Sequence, residues 1–269
     1  QKRHQEPYAS LQRAGANLCG LMRVLLFKRF ESSVYAFRET VTRLVRMHRM
    51  FLTALDEGII SAGEDAQRLL YESDYQEETQ LIDALRKASG RYDIKDFDLD
   101  RLRAHVEHDI ELLERILDLV KTITADKDAK LQTLKHNLMC APLNTGKVLI
   151  FTQFADTARY LYNNLNPEDK HQNIEVIFSG DKDKIRVVGR LAPKANPEYE
   201  LPGGVPEIQT LIATDVLAEG LNLQDCDKII NYDLHWNPVR LIQRFGRIDR
   251  IGSEHNVIYG FNFLPEIGI

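Results

Sequence analysis

The sequence predicts an α/β fold: a parallel sheet with helices on both faces, preceded by an α-helical segment. Three observations carry this. Up to about residue 125, apolar residues recur at helical spacing. After Asp126, five short apolar runs alternate with helical stretches, the pattern of a parallel sheet. Polar residues gather just past the ends of those runs, where parallel sheets bind their ligands.

The helical segment comes first. Phe37, Val41, Leu44, Val45, Phe51, Leu52 and Leu55 fall on one helical stripe, with Arg38, Arg43, Arg46 and Arg49 between them. Leu102, Val106, Ile110, Leu113, Leu117 and Val120 repeat the signal, and Asp100 is the expected N-cap. The stretch 33–125 therefore reads as a helical layer.

The sheet follows. The apolar runs are 148–151, 174–178, 210–213, 228–232 and 257–261, rich in β-branched and aromatic residues. Each is short enough to be a strand buried on both faces. Helical candidates lie at 154–165, 182–191 and 238–248. The polar residues at the strand ends are Thr152-Gln153, Ser179-Gly180-Asp181 and Thr214-Asp215.

Composition narrows the functional classes. With 269 residues, 43% of them apolar, the chain can bury a sizeable core. A net charge of −5 argues against a uniformly basic nucleic-acid coat but leaves room for a local phosphate track. Charge is unevenly spread: residues 1–55 hold ten Lys/Arg against three Asp/Glu, and residues 56–83 hold nine acids against Arg68 alone. The second stretch reads as a solvated acidic helix face. Cys19, Cys140 and Cys226 are widely separated and odd in number, so they read as small buried hydrophobes of a reducing compartment. No metal spacing surrounds them. No apolar run reaches membrane-spanning length, no signal-peptide pattern opens the chain, and a start at Gln1 suggests an excised fragment.

The sharpest chemistry lies at 237–250. Asn237 can cap a helix, and Pro238 suits its first turn. Along that helix Gln243, Arg247 and Arg250 stand at i, i+4 and i+7, so they share one face. Four arginines in eleven residues, without a lysine, favour planar bidentate contacts to phosphate or carboxylate. The alternative is a set of ordinary surface pairs with Asp249 or Asp233. Arg244 falls off the shared face and is expected to matter less.

Gln243-Arg244-Phe245-Gly246-Arg247-Ile248-Asp249-Arg250-Ile251-Gly252 resembles motif VI of the superfamily-two helicases. Thr214-Asp215-Val216-Leu217-Ala218-Glu219-Gly220-Leu221-Asn222 resembles their motif V, and Val148-Leu149-Ile150-Phe151-Thr152-Gln153-Phe154 their motif IV. Asp233-Leu234-His235-Trp236-Asn237-Pro238 is similar to a stretch between motifs V and VI of the Swi/Snf helicase-like ATPases. Asp249, Glu219, Ala192-Pro193-Lys194-Ala195-Asn196 and Leu26-Phe27-Lys28-Arg29-Phe30-Glu31-Ser32-Ser33 look most like the bacterial and archaeal branch. That branch includes the RNA-polymerase-associated ATPase and phospholipase-D-linked helicases. Ser253 and Asp249 depart from the eukaryotic remodeller pattern of motif VI.

The resemblance implies a RecA-like C-terminal lobe at 126–269, a helical insertion at 34–125, and the end of a first lobe or a linker at 1–33. It implies that Arg247 and Arg250 are arginine fingers for an ATP whose Mg2+ and phosphates are bound mainly by a first lobe. Gln243, Gly220 and Asn222 would lie at the nucleotide. Thr152, Gln153, Ser179, Gly180 and Thr214 would touch the phosphate backbone of a nucleic-acid strand. Turn or cap duty is the alternative for these smaller residues. The implied partners are double-stranded DNA and the N-terminal RecA-like lobe, with no membrane, in a cytoplasmic, nucleoid-associated protein. An RNA helicase lobe and a catalytically silent nucleic-acid-binding module are the other readings.

A phosphate-cradling loop requires Gly-x4-Gly-Lys-Ser/Thr. Gly146-Lys147 is followed by Val148 and preceded at the required distance by Ala141, so it reads as a turn. Asp56-Glu57 runs on into Gly58-Ile59 among helices and is no magnesium box. The chain alone is therefore expected to be inactive as an ATPase. The segment 194–206, rich in Pro and Gly, reads as a surface loop with no assigned role.

Overall fold

The computed structural model describes residues 23–59, 95, 97–178, 183–215, 221–235 and 237–264. The chain divides into two compact units, one of residues up to 37 and from 123 onward, the other of residues 38–122. Each is described by itself.

Among the described residues the second unit holds α1 (Val34–Asp56), whose first turn belongs to the other unit, and α2 (Leu99–Val120). The apolar stripe read from the sequence is the buried one: Val41, Leu44, Val45 and Leu55 on α1, and Val120 on α2. Arg49 pairs with Glu114 and Arg103 with Asp56, both on the surface. Such exposed pairs contribute about 1 kcal/mol or less. The N-cap of α2 is Asp98, whose carboxylate accepts from the Arg101 amide at 3.1 Å. The expected cap, Asp100, sits inside the first turn, because the helix begins one residue after Asp98. Residues 60–94, with most of the acidic stretch, lie outside the described residues.

The first unit holds a five-stranded sheet in the order β2-β3-β1-β4-β5, every neighbouring pair parallel. The strands are β1 (Val148–Phe151), β2 (Ile174–Ile177), β3 (Thr210–Ala213), β4 (Lys228–Asn231) and β5 (Tyr259–Asn262). Between them run α4 (Ala155–Leu165), α5 (Lys184–Leu191) and α6 (Pro238–Phe245). All five runs predicted from the sequence are strands. The last starts two residues later than expected, and the last helix stops at Phe245 rather than 248. One helix that the sequence reading passed over, α3 (Ala129–Leu138), precedes β1, capped by Asp128 on the Leu131 amide at 3.1 Å.

Alternate strand residues face opposite ways, so the sheet carries a core on each side. On one side Leu149, Phe151, Leu211, Ala213 and Ile229 meet Val187, Val188 and Leu191 of α5 and Ile248 beyond α6. On the other, Val148, Ile150, Ile212 and Ile230 meet Leu131 and Leu134 of α3 and Ala158 and Leu161 of α4. Removing each such Val, Leu, Ile or Phe side chain from water contributes about 1.5–3 kcal/mol. Tyr35, in the first turn of α1, stacks on Tyr160 with ring centroids 5.0 Å apart. α6 is seated by a glycine: a methyl group at Gly260 of β5 would stand 2.3 Å from the Phe245 ring.

Gly146 adopts φ +66° in the turn before β1 and Lys147 donates to the Leu191 carbonyl at 2.6 Å, the turn read from the sequence. Cys226 is buried, and burial pushes its thiol up to about 12, which leaves it unreactive. Cys140 is exposed, contrary to expectation, because it follows α3 at the surface. Among the described residues no helix is long and apolar enough to cross a membrane.

Candidate functional site

The sheet order places β1 in the centre, with β3 on one side and β4 on the other. The connection out of β1 runs toward β2 and that out of β4 toward β5 on the opposite edge, and the crevice past the carboxyl ends at such a reversal is where a parallel sheet binds. Thr152 follows β1, Thr214 follows β3 and Asp233 follows β4. α6 and the turn after it rise from the same edge.

Asp233 is a hub. Its carboxylate accepts from the hydroxyls of Ser32 and Thr152, and from the Gln153 amide at 2.8 Å. Ser32 also reaches Thr157 at 2.8 Å, and Ser33 reaches the same hydroxyl at 2.9 Å. Lys130 donates to the carbonyls of Glu31 and Ser32 at 2.8 and 2.9 Å, with its ammonium 4.1 Å from the centre of the Tyr232 ring. Burial pushes the Lys130 ammonium down to about 8, against the opposing pull of Asp233, Glu31 and Asp128. Arg29 pairs with Asp156 at 2.7 Å and covers the Phe154 ring. The segment before α1 is thus stitched to the ends of β1 and β4.

A second hub is Arg244. Its side chain is fully buried, donates from Nε to Asp215 at 2.7 Å and from Nη1 to Asn231 at 2.8 Å, and lies over the Phe151 ring. It is off the Gln243–Arg247 face because it points into the sheet.

Past α6 the chain turns. Arg247 and Arg250 lie beyond the helix's end at Phe245, so the continuous helical face expected to carry Gln243, Arg247 and Arg250 is absent. The turn is held by the Ile248 and Asp249 amides on the Phe245 carbonyl, at 3.0 and 2.9 Å. Arg250 instead reaches back: Nη1 donates to the Asn222 side chain and Nε to the Gly246 carbonyl at 3.1 Å. Arg247 is tied through its carbonyl, which accepts from the Leu223 amide at 3.1 Å. Its guanidinium has no partner among the described residues. Gln243 Oε1, Arg247 Nε and Thr214 Oγ1 are buried and make no hydrogen bond.

Residues 129–252 match the family described as the helicase conserved C-terminal domain. These residues are a helicase C-terminal domain. The match begins at α3 and ends just after Arg250, so it takes in the whole edge described above except the segment before α1. Relatives of the helicase domain include an uncharacterized ATP-dependent helicase, YqhH of Bacillus subtilis, 61% identical over 51 residues, 19% of this chain and 9% of that protein. The ATP-dependent DNA helicase fml1 of Schizosaccharomyces pombe is 32% identical over 111 residues, 39% of this chain and 12% of that protein. The RNA polymerase-associated protein RapA of Cronobacter sakazakii is 41% identical over 49 residues, 18% of this chain and 5% of that protein. The matched stretches thus span about a tenth or less of the length of these relatives. Among solved structures, the C-terminal part of the Fun30 ATPase domain gives a TM-score of 0.41 at 15% identity, over 88% of this chain and 81% of that one.

Within the helicase domain the structure joins Arg250 to Asn222 and brings Gln153 beside Asp233. Gln153 also donates to the Leu234 carbonyl at 2.8 Å. Thr152 is enclosed, and its hydroxyl serves Asp233 instead of facing outward. Ser179, Gly180, Gly220 and Trp236 lie outside the described residues. Asn237 caps α6, accepting from the Val239 amide at 3.0 Å, as its sequence predicted. Asp233, Ser32 and Lys130 were missed as a group. They are far apart in sequence, and no local spacing signals their meeting.

Proposed function

We propose that the chain is the second motor lobe of an ATP-dependent, Swi/Snf-type translocase of double-stranded DNA. In that reading Arg247 and Arg250 act as arginine fingers on a nucleotide held chiefly by a first RecA-like lobe. The observation that supports it is the division of labour among three arginines of motif VI. Arg244 is spent on an internal carboxylate, Arg250 is held by Asn222 at the rim, and the Arg247 guanidinium has no partner among the described residues. The unsatisfied Arg247 Nε and the Thr214 hydroxyl at the same edge can both donate to an anionic ligand. A nucleotide with Mg2+ supplies the phosphoryl group to be transferred. The arginines contribute fixed positive charge where negative charge builds up. In this reading Gln153 and Thr214 would contact the backbone of a strand and position the lobe without reading bases.

The test is DNA-stimulated ATP hydrolysis by the full-length protein. Arg247→Ala and Arg250→Ala should each lower it steeply, since fingers contribute roughly 10³–10⁵ in rate in well-studied systems. DNA affinity should stay nearly unchanged, and Lys should rescue poorly because an ammonium lacks the planar fork. Loss of DNA binding with hydrolysis intact would overturn the finger assignment. Equal or greater stimulation by RNA would replace DNA as the substrate.

A further inference from the structure

The segment 194–206 was left without a role by its sequence, yet its first residues are built into the site. Asn196 donates from Nδ2 to the Asn222 carbonyl at 3.0 Å and to the Ala192 carbonyl, at the end of α5, at 2.7 Å. The Lys194 and Ala195 amides both donate to the Asp225 carboxylate at 2.9 Å. Asn222, in turn, offers its side-chain oxygen to Arg250, and the next residue's amide binds the Arg247 carbonyl. Residues 222–225 are therefore held between the start of this loop and the turn that carries both arginines.

The loop itself is anchored at three further points. Tyr199 lies against Gly189 of α5 so closely that a methyl group there would stand 2.1 Å from its ring. The Tyr199 amide donates to the Asn196 carbonyl at 3.0 Å. At the far end, Arg190 donates to the Pro206 carbonyl at 3.2 Å and to the Gln172 carbonyl at 2.6 Å.

We infer that Asn196 is a positioning residue for Arg250, acting through Asn222. A carboxamide that donates twice fixes the Asn222 main chain from behind, so that its side chain can hold the guanidinium in one place. Asn222 lies in coil, with no helix or ladder to hold its backbone, so a side chain from another segment supplies the restraint. This inference rests on the finger reading of Arg250 and extends it to a residue outside the helicase motifs.

The test compares Asn196→Ala, Asn196→Asp, Arg250→Ala and the Asn196→Asp/Arg250→Ala double variant of the full-length protein. Aspartate keeps the shape but puts an acceptor against two carbonyls. Both Asn196 variants should lower kcat for ATP on the order of 10- to 100-fold, the size of effect that a misplaced group produces, with KM changed little. In the Arg250→Ala background Asn196→Asp should cost nothing more. Without nucleotide, hydrogen exchange in peptides covering 221–226 and 246–252 should quicken in Asn196→Asp. Unchanged exchange together with unchanged kcat, in a protein that Arg250→Ala does slow, would overturn the positioning role alone. An equal Asn196→Asp loss in both backgrounds would also overturn it, since that is the mark of a general structural defect. Arg250→Ala without effect would instead sink the finger reading on which it stands.

Discussion

Arg244 donates from Nε to the Asp215 carboxylate at 2.7 Å while none of its own side chain is exposed. The pair joins motif V to motif VI at the centre of the sheet. Asn231 at the end of β4 takes a second guanidinium hydrogen, and the Phe151 ring of β1 lies beneath. One side chain thus links the ends of three adjacent strands, β3, β1 and β4, and seats α6 above them.

Removing it should cost stability. Arg244→Ala leaves Asp215 and Asn231 without their donor, and breaking a buried pair from one side costs about 3–5 kcal/mol. Asp215 keeps 25% of its side chain exposed, so the lower end of that range is expected. Urea unfolding should show the loss as a shifted midpoint, and Arg244→Lys should recover only part of it, because an ammonium cannot reproduce the planar fork that spans Asp215 and Asn231. An unchanged midpoint would mean that the pair is ornamental.

Thr152→Val separates two roles for one hydroxyl. As an internal donor to Asp233, its loss should lower stability by about 1–3 kcal/mol, the cost of leaving a buried acceptor under-satisfied. DNA affinity should then follow only through the folded fraction. Weaker DNA binding at unchanged stability would restore Thr152 as a direct contact.

Lys130 predicts a pH signature. Its folded value is lowered to about 8 from an ordinary 10.5. Below about 8 both folded and unfolded chains hold the proton. Between the two values the unfolded chain binds more protons, so stability should rise with pH across that window. Lys130→Met should abolish the rise, and a flat or falling profile in the parent would contradict the burial of a charged ammonium.

The isolated chain should show no DNA-stimulated ATP turnover. It contains arginines that can complete a nucleotide site but no Gly-x4-Gly-Lys-Ser/Thr loop to cradle phosphates. Turnover above background from highly purified chain, abolished by Arg247→Ala, would show a phosphate site outside that pattern.

The sheet was legible because its signals are local. Five β-branched runs bounded by polar ends specify strands, and helices between them leave only a parallel arrangement. The Asn237-Pro238 start of α6 and the stripes of α1 and α2 were legible for the same reason, as periodicity records which face meets a core. Order and spacing of the motif residues likewise carried the resemblance to a helicase C-terminal lobe, read as 126–269, within which 129–252 match that family.

What the sequence could not determine was the direction in which adjacent polar side chains point. Gln243 and Arg244 are neighbours about 100° apart on a helix only two turns long, and either could have faced the sheet. The choice was made by Asp215, just past β3, and Asn231, at the end of β4, which accept from two of the guanidinium nitrogens. Ser32, Lys130, Thr152 and Asp233 meet across separations of up to 201 residues. Their hydroxyl and carboxylate groups find one another only because the strand order brings β1 and β4 side by side. The sequence alone determined the layers and the chemistry carried at their edge. Tertiary structure decided which arginine is spent inside and which remain at the rim, because a buried charge is retained only where the fold supplies its partners.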